Sequence, residues 1–192
     1  MQRHLLVLTI LAHFAGGSAT AQERYFPPNV LDETSQMDEF YTAWYSKHLT
    51  AMGEPSLSTT KIRAETYRVL WLRTFDAPMV FRLIVARDGT AAFVIRRTNG
   101  RGGYNPGKLV LDKQLKLGKQ ETSALIERLE KANFWHLASA DPNDTGYDGS
   151  RWIVEGVKDG VYHVVSRWTG NGITDWALPI MKQSGENLEP IY

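Results

Sequence analysis

Two acidic residues, Asp148 and Glu155, could form a carboxylate pair that cleaves a glycosidic bond if the fold brings them together. That reaction needs one carboxyl group as acid and a second as base or nucleophile, and Glu65 is a further candidate partner. Glu155 lies in an otherwise apolar, strand-like run, so it is either paired with an arginine or open to solvent. The sequence therefore leaves open a cell-envelope hydrolase that uses Glu155 and Asp148.

Arginine and aromatic residues recur through the same segment. Arginine stacks on rings and pairs with carboxylates in a planar fork, and Arg, Trp and Tyr are favoured in binding hot spots. These residue types favour a non-catalytic recognition face for a protein or glycan; an ordinary solvated sheet face is the alternative. The candidate binding residues are Arg151, Trp152, Glu155, Tyr162, Arg167 and Trp168.

The residues that nucleophilic catalysis or zinc binding would need are missing from the sequence. The chain contains no cysteine, which excludes thiol nucleophiles and disulfides, and it has no Gly-x-Ser-x-Gly motif. His48, His136 and His163 match no zinc motif. We therefore expect no metal and no cofactor.

Two loops resemble ligand-binding motifs only in part. Residues 99–107 are rich in glycine, but no Gly-Lys-Ser/Thr follows them, so a phosphate cradle is disfavoured. Residues 141–148 resemble the start of a calcium loop, yet the twelfth position is Trp152 where such a loop needs glutamate. An Asx-rich turn explains the second loop more simply, and ion binding there stays open.

The N-terminus predicts export. Residues 1–21 combine Arg3, an apolar run over residues 5–14 and a small-x-small cleavage site ending at Ala21. The apolar run is too short to span a bilayer. No later stretch is long enough either, so we expect no membrane span. Removing Arg3 with the signal leaves equal numbers of basic and acidic residues, so we expect no nucleic-acid partner. The expected location is the bacterial periplasm or the medium.

Periodicity predicts the elements that position these residues. Residues 22–34, with two prolines, read as an extended arm, and residues 35–192 as a single domain. A helix from Ser35 should bury a stripe of apolar residues. Those residues are Met37, Phe40, Tyr41, Trp44, Leu49 and Met52.

Two Asp-Gly pairs predict hairpins. Asp159-Gly160 should form a two-residue turn that sets Trp152 opposite Arg167 and Arg151 opposite Trp168, giving two arginine and tryptophan stacks. Asp88-Gly89 should join residues 80–86 and 90–97, with Leu83 opposite Val94. The expected fold is α+β, a mainly antiparallel sheet of about six strands with helices packed on one face, in the order α-ββββ-α-ββ-α.

Four segments also resemble a family of small exported bacterial proteins of unassigned function. They are residues 70–75, residues 102–109, Asn-Phe-Trp at residues 133–135, and the Trp-Ile-x-Glu-Gly-Val and Tyr-His-Val-Val-x-Arg-Trp motifs within residues 148–168. The resemblance covers roughly residues 65–182. It implies an exported single domain and no activity.

Overall fold

Six strands and three α-helices build the fold in the computed structural model, which describes residues 24–144 and 146–191. The predicted signal peptide, residues 1–21, lies outside the described residues. The strands are β1 Thr66–Arg73, β2 Met79–Val85, β3 Ala91–Thr98, β4 Leu109–Leu117, β5 Ser150–Lys158 and β6 Val161–Trp168. The helices are α1 Ser35–Ala51, α2 Lys119–Lys131 and α3 Thr174–Lys182, with a 3-10 turn at Phe134–His136.

The strands form one sheet in the order β4-β3-β2-β1-β5-β6, and every neighbouring pair is antiparallel. The predicted α+β class and strand number are thereby confirmed. β1 occupies the centre, as its composition requires. Val69 and Trp71 belong to the core on one face, and Leu70 and Leu72 to the core on the other.

Helices cover both faces, which corrects the expectation of helices on one face only. α2 and α3 pack on the face that carries Trp71, whereas α1 packs on the face that carries Leu70. The physical reason is the double-sided strand itself, because apolar side chains on both faces must both be removed from water. Among the described helices, none is long and apolar enough to cross a membrane.

The β5–β6 hairpin has the predicted register. Asp159 and Gly160 both take positive φ angles, 53° and 79°, as a tight two-residue turn requires. Arg151 lies opposite Trp168, and Trp152 opposite Arg167.

The β2–β3 hairpin differs from the prediction by one residue. Leu83 pairs with Phe93, not with Val94. The turn is longer than two residues because Ala86 N–H bonds the Thr90 carbonyl at 2.8 Å, enclosing three residues. Only Gly89 within Asp88-Gly89 has a positive φ, so the pair does not form the two-residue turn.

The core on the α1 face is completed by the segment before α1. Residues 24–34 form no helix or strand, yet Tyr25, Phe26 and Leu31 are buried. Asp38 on α1 fixes this segment, because its carboxylate accepts the backbone N–H of Asn29 and of Leu31, each at 2.9 Å. The segment therefore takes part of the space that an apolar helix face would otherwise fill.

Candidate functional site

The six predicted binding residues do not share one face of the sheet. Arg151, Glu155, Tyr162 and Trp168 lie on the α1 side, whereas Trp152 and its cross-strand partner Arg167 lie on the side of α3. Successive side chains of a strand point to opposite faces, so neighbours such as Arg151 and Trp152 cannot face one ligand together. The expectation of a single recognition face is corrected on this ground.

Trp152 and Arg167 serve packing. Trp152 is fully buried, stands edge-on to Trp71 at 5.8 Å between ring centroids, and donates its indole N–H to Ser150 at 2.8 Å. Arg167 is buried and donates to the carbonyls of Ala138 and Ser139, at 2.8 and 3.3 Å. It thereby ties the loop after the 3-10 turn to β6.

Glu155 is sealed in an ion pair. Its carboxylate accepts Arg68 Nε at 2.8 Å and the Tyr162 hydroxyl at 3.0 Å, and Glu155 and Arg68 are both fully buried. Burial raises the pKa of Glu155, and the Arg68 guanidinium opposes that rise. Asp148, by contrast, is exposed, so the structure does not form the carboxylate pair that hydrolysis would need.

The same buried network fixes the end of α1 to the sheet. Glu54, just beyond α1, accepts hydrogen bonds from Arg82 Nε at 2.8 Å, Arg96 at 3.1 Å and Arg68 at 3.3 Å. Glu54 thus bridges the like charges of Arg68 and Arg82, which lie directly opposite in β1 and β2, while Glu155 supplies a second carboxylate to Arg68. Arg68, Arg82 and Arg96 therefore hold the fold together.

An open cleft of about 570 Å³ lies between α1, the glycine-rich loop and the segment before β5. Three charged residues line it, namely Lys47, Asp148 and Arg151. Six aromatic residues also line it, and they are Phe40, Tyr41, Trp44, Tyr104, Tyr147 and Trp168. We call this site, defined by these nine residues, the aromatic cleft.

Three of its rings are offered to solvent. Phe40 is 56% exposed, Tyr104 55% and Tyr147 fully exposed. Phe75 extends the surface beyond the cleft, since it is half exposed and its ring centroid lies 6.4 Å from that of Tyr104. Exposed apolar side chains that gather in one patch are more common at interaction sites than on the rest of a protein surface.

α1 supplies one wall through helical spacing. Phe40, Trp44 and Lys47 are separated by four and three residues, which places them on one side of the helix. Trp44 Nε1 donates to the Gly102 carbonyl at 2.7 Å and so links the helix to the glycine-rich loop.

The glycine-rich loop is held firmly and presents Tyr104. Gly102 N–H bonds the Asp76 carbonyl at 3.0 Å, and Gly103 N–H bonds the Thr74 carbonyl at 3.1 Å. A Cβ on Gly102 would lie 2.4 Å from the Arg73 carbonyl oxygen, so only glycine fits this approach. The glycines therefore permit close packing against the end of β1.

Arg151 forms the third wall, between two rings. Its guanidinium carbon lies 5.2 Å from the ring centroid of Tyr41 and 5.2 Å from that of Trp168. Asp144 pairs with Arg151 at 3.5 Å and also accepts the backbone N–H of Trp168. Arg151 is over nine-tenths buried, and within the part of the chain described here its Nε has no hydrogen-bond partner.

The two other charged groups of the cleft have no counter-ion. Neither Lys47 nor Asp148 makes a salt bridge within residues 24–144 and 146–191.

Lys47 also acts on its neighbour on α1, because burial and the nearby Lys47 charge lower the pKa of His48 to about 3. His48 is fully buried, and the structured region offers neither of its ring nitrogens a hydrogen-bond partner.

Sequence reasoning found only Arg151 and Trp168 among the residues of the cleft as binding residues, and Asp148 as a catalytic candidate. It assigned six apolar residues to the buried stripe of α1, and of these Leu49 and Met52 are buried, while Tyr41 and Trp44 are partly buried against the same core. Met37 and Phe40 are exposed, which corrects that part of the prediction. The buried residues of the helix itself are mostly polar. They are Asp38, Thr42, Tyr45, Ser46, His48 and Leu49. One signal was present in the sequence, because aromatic residues at positions 40, 41, 44 and 45 span more of the helix than a single buried stripe.

No group of three or more metal-binding side chains converges within the described ranges. In the loop 141–148, the Asp144 carboxylate already accepts hydrogen bonds from Arg151 and from the Trp168 backbone, and the Asp141 carboxylate accepts the backbone N–H of Asn143 at 2.9 Å.

No protein-family model matches the chain, and no curated protein is significantly similar to it.

Proposed function

We propose that this chain is an exported protein of the bacterial cell envelope, periplasmic or secreted, whose mature domain binds a protein or glycan without catalysis. The binding place is the aromatic cleft. Residues 1–21 act as the signal peptide, as their charge, apolar run and cleavage motif predict. The resemblance to small exported bacterial proteins agrees with this assignment.

The observation that carries the proposal is the exposure of three aromatic rings around one concave site. Burying Phe40, Tyr104 and Tyr147 under a ligand removes apolar area from water, and each ring brings a large contact area at little entropic cost. A volume of about 570 Å³ lies in the range of small-ligand sites. The cleft therefore suits one sugar chain or one short protein segment.

The state of the acidic residues supports a non-catalytic role. The Glu155 carboxylate is buried and accepts hydrogen bonds from Arg68 and Tyr162. Asp148 is then the single carboxylate that lines the cleft within the described residues. Acid–base catalysis with paired carboxyl groups would need a second one nearby. Binding requires no such partner.

Capture from envelope extracts tests this function. The mature protein, immobilised through its C-terminus, should retain an envelope glycan or protein, and Phe40→Ala and Tyr104→Ala should each reduce the retained amount several-fold. Val161→Ala removes a side chain that is 60% exposed at the turn end of β6, seven residues along the strand from Trp168, and is the matched control. Equal capture by wild type and both aromatic variants would refute the assignment of the cleft.

A further inference from the structure

We infer that the aromatic cleft takes an acidic saccharide, with a sugar ring stacked on its exposed aromatic rings and the sugar carboxylate held by Lys47. This inference rests on the proposed binding function and names the ligand class within it.

The rings suit the C–H faces of a pyranose. A sugar ring presents weakly positive C–H bonds on one face, and an aromatic ring presents a negative π-face that attracts them. Phe40 on α1 and Tyr104 on the glycine-rich loop both line the cleft, and both are more than half exposed. Two such rings can hold one sugar unit or two successive units.

The charges select an anion among sugars. Lys47 lines the cleft and has no salt bridge within the described ranges. The guanidinium of Arg151 also lines the cleft, but it is paired with Asp144 and donates to the Tyr41 hydroxyl at 3.3 Å, so Lys47 is the cationic group whose charge a ligand would balance. A carboxylate beside Lys47 would gain a charge-assisted hydrogen bond in partly desolvated surroundings. The exposed Asp148 is an acceptor only, and it suits a sugar hydroxyl.

A polypeptide fits less well, because the cleft offers no free strand edge. The edge of β6 near the cleft is already occupied, since Ser166 N–H bonds the Ser139 carbonyl at 2.8 Å and Trp168 N–H bonds the Asp144 carboxylate. Strand addition is therefore blocked there. A proline-rich segment would seek an indole N–H, but that of Trp44 is taken by the Gly102 carbonyl.

Calorimetric titration with matched sugars tests the inference. The probes are an oligogalacturonate and the same oligosaccharide with its carboxyl groups reduced to neutral alcohols. The acidic form should bind at least about fivefold more tightly to the mature protein, a preference that salt should weaken. Lys47→Gln should abolish the preference, Phe40→Ala should weaken both sugars, and Lys131→Gln on the opposite side of the sheet should change neither.

The outcomes separate this inference from the proposed function. Equal affinity for the acidic and neutral sugars, both weakened by Phe40→Ala, would overturn the acidic assignment and leave the binding cleft standing. Binding of neither sugar, or tighter binding of a proline-rich peptide, would overturn the saccharide assignment, while capture from extracts still tests the cleft. Self-association that Phe40→Ala abolishes would assign the cleft to a second copy of the chain and also overturn the inference.

Discussion

The guanidinium of Arg151 lies over the indole ring of Trp168, its cross-strand partner, with 5.2 Å between the guanidinium carbon and the ring centroid. The pairing follows from the Asp159-Gly160 turn, which fixes the register of the hairpin. Both residues line the aromatic cleft, so the turn at one end of the hairpin determines the geometry of a wall at the other.

Replacing Arg151 with glutamine should lower the free energy of unfolding by about 3 kcal/mol, because it leaves the buried Asp144 carboxylate without its counter-ion. Urea denaturation measures the change. The double variant Arg151→Gln with Asp144→Asn should recover part of the loss, since both charges are then removed. A loss below about 0.5 kcal/mol for the single variant would show that the pair is not held as described.

Glu155→Gln should destabilise the domain by about 3–5 kcal/mol, because it leaves the buried Arg68 partly unpaired. Glu65→Gln is the matched control, since Glu65 pairs at 3.5 Å with the partly exposed Lys158 and should cost less than about 1 kcal/mol. Thermal or urea unfolding of the two variants gives the comparison. An equal loss of stability in the two variants would contradict the buried ion pair between Glu155 and Arg68.

His48 should make the protein less stable as the pH falls. Its folded pKa lies near 3 because of burial and Lys47, whereas the unfolded value is about 6.5. Between those pH values the unfolded chain binds a proton that the folded chain does not. Each unit by which the pH falls therefore lowers the free energy of unfolding by about 1.4 kcal/mol through this residue. His48→Gln should remove that slope between pH 6 and 4, and exposed His136→Gln should not; an unchanged slope in His48→Gln would exclude the effect.

Gly156→Ala should destabilise the domain by about 1–3 kcal/mol through overpacking. The new Cβ would lie 2.7 Å from Phe134 Cε1 and 3.1 Å from the ring of Trp135, and Phe134 is fully buried. Denaturation of the double variant with Phe134→Leu provides the control, because a smaller side chain should relieve part of the clash. Additive losses in the double variant would refute direct contact as the cause.

Local turn chemistry was the most predictable part of the fold. The β5–β6 register followed from Asp159-Gly160. Asp88-Gly89 misled because the same dipeptide also fits a three-residue turn with a single positive φ at glycine. Local sequence restricts the turn, but the strands it joins decide between the two types.

The site was less predictable because it depends on which side chains are buried. The apolar pattern of a helix or strand shows which of its faces is apolar, but not which other segments cover that face. Trp152 and Glu155 have the residue types of a binding face, yet both are fully buried. Trp152→Ala should therefore cost several kcal/mol of stability, so that variant cannot report on ligand binding. Phe40 looked like core because nothing in its own helix showed that Tyr25 and Phe26 would fill the space instead.

Chemical-shift mapping of the isotope-labelled mature protein during titration with an envelope glycan fraction tests the aromatic cleft most directly. The backbone amide signals of Lys47, Gly103, Tyr104 and Asp148 should move together and saturate, while those of Val110 and Val161, exposed on β4 and at the tip of the β5–β6 hairpin, should stay in place. Shifts confined to β4 or the hairpin tip, or no shifts at all, would contradict binding in the cleft.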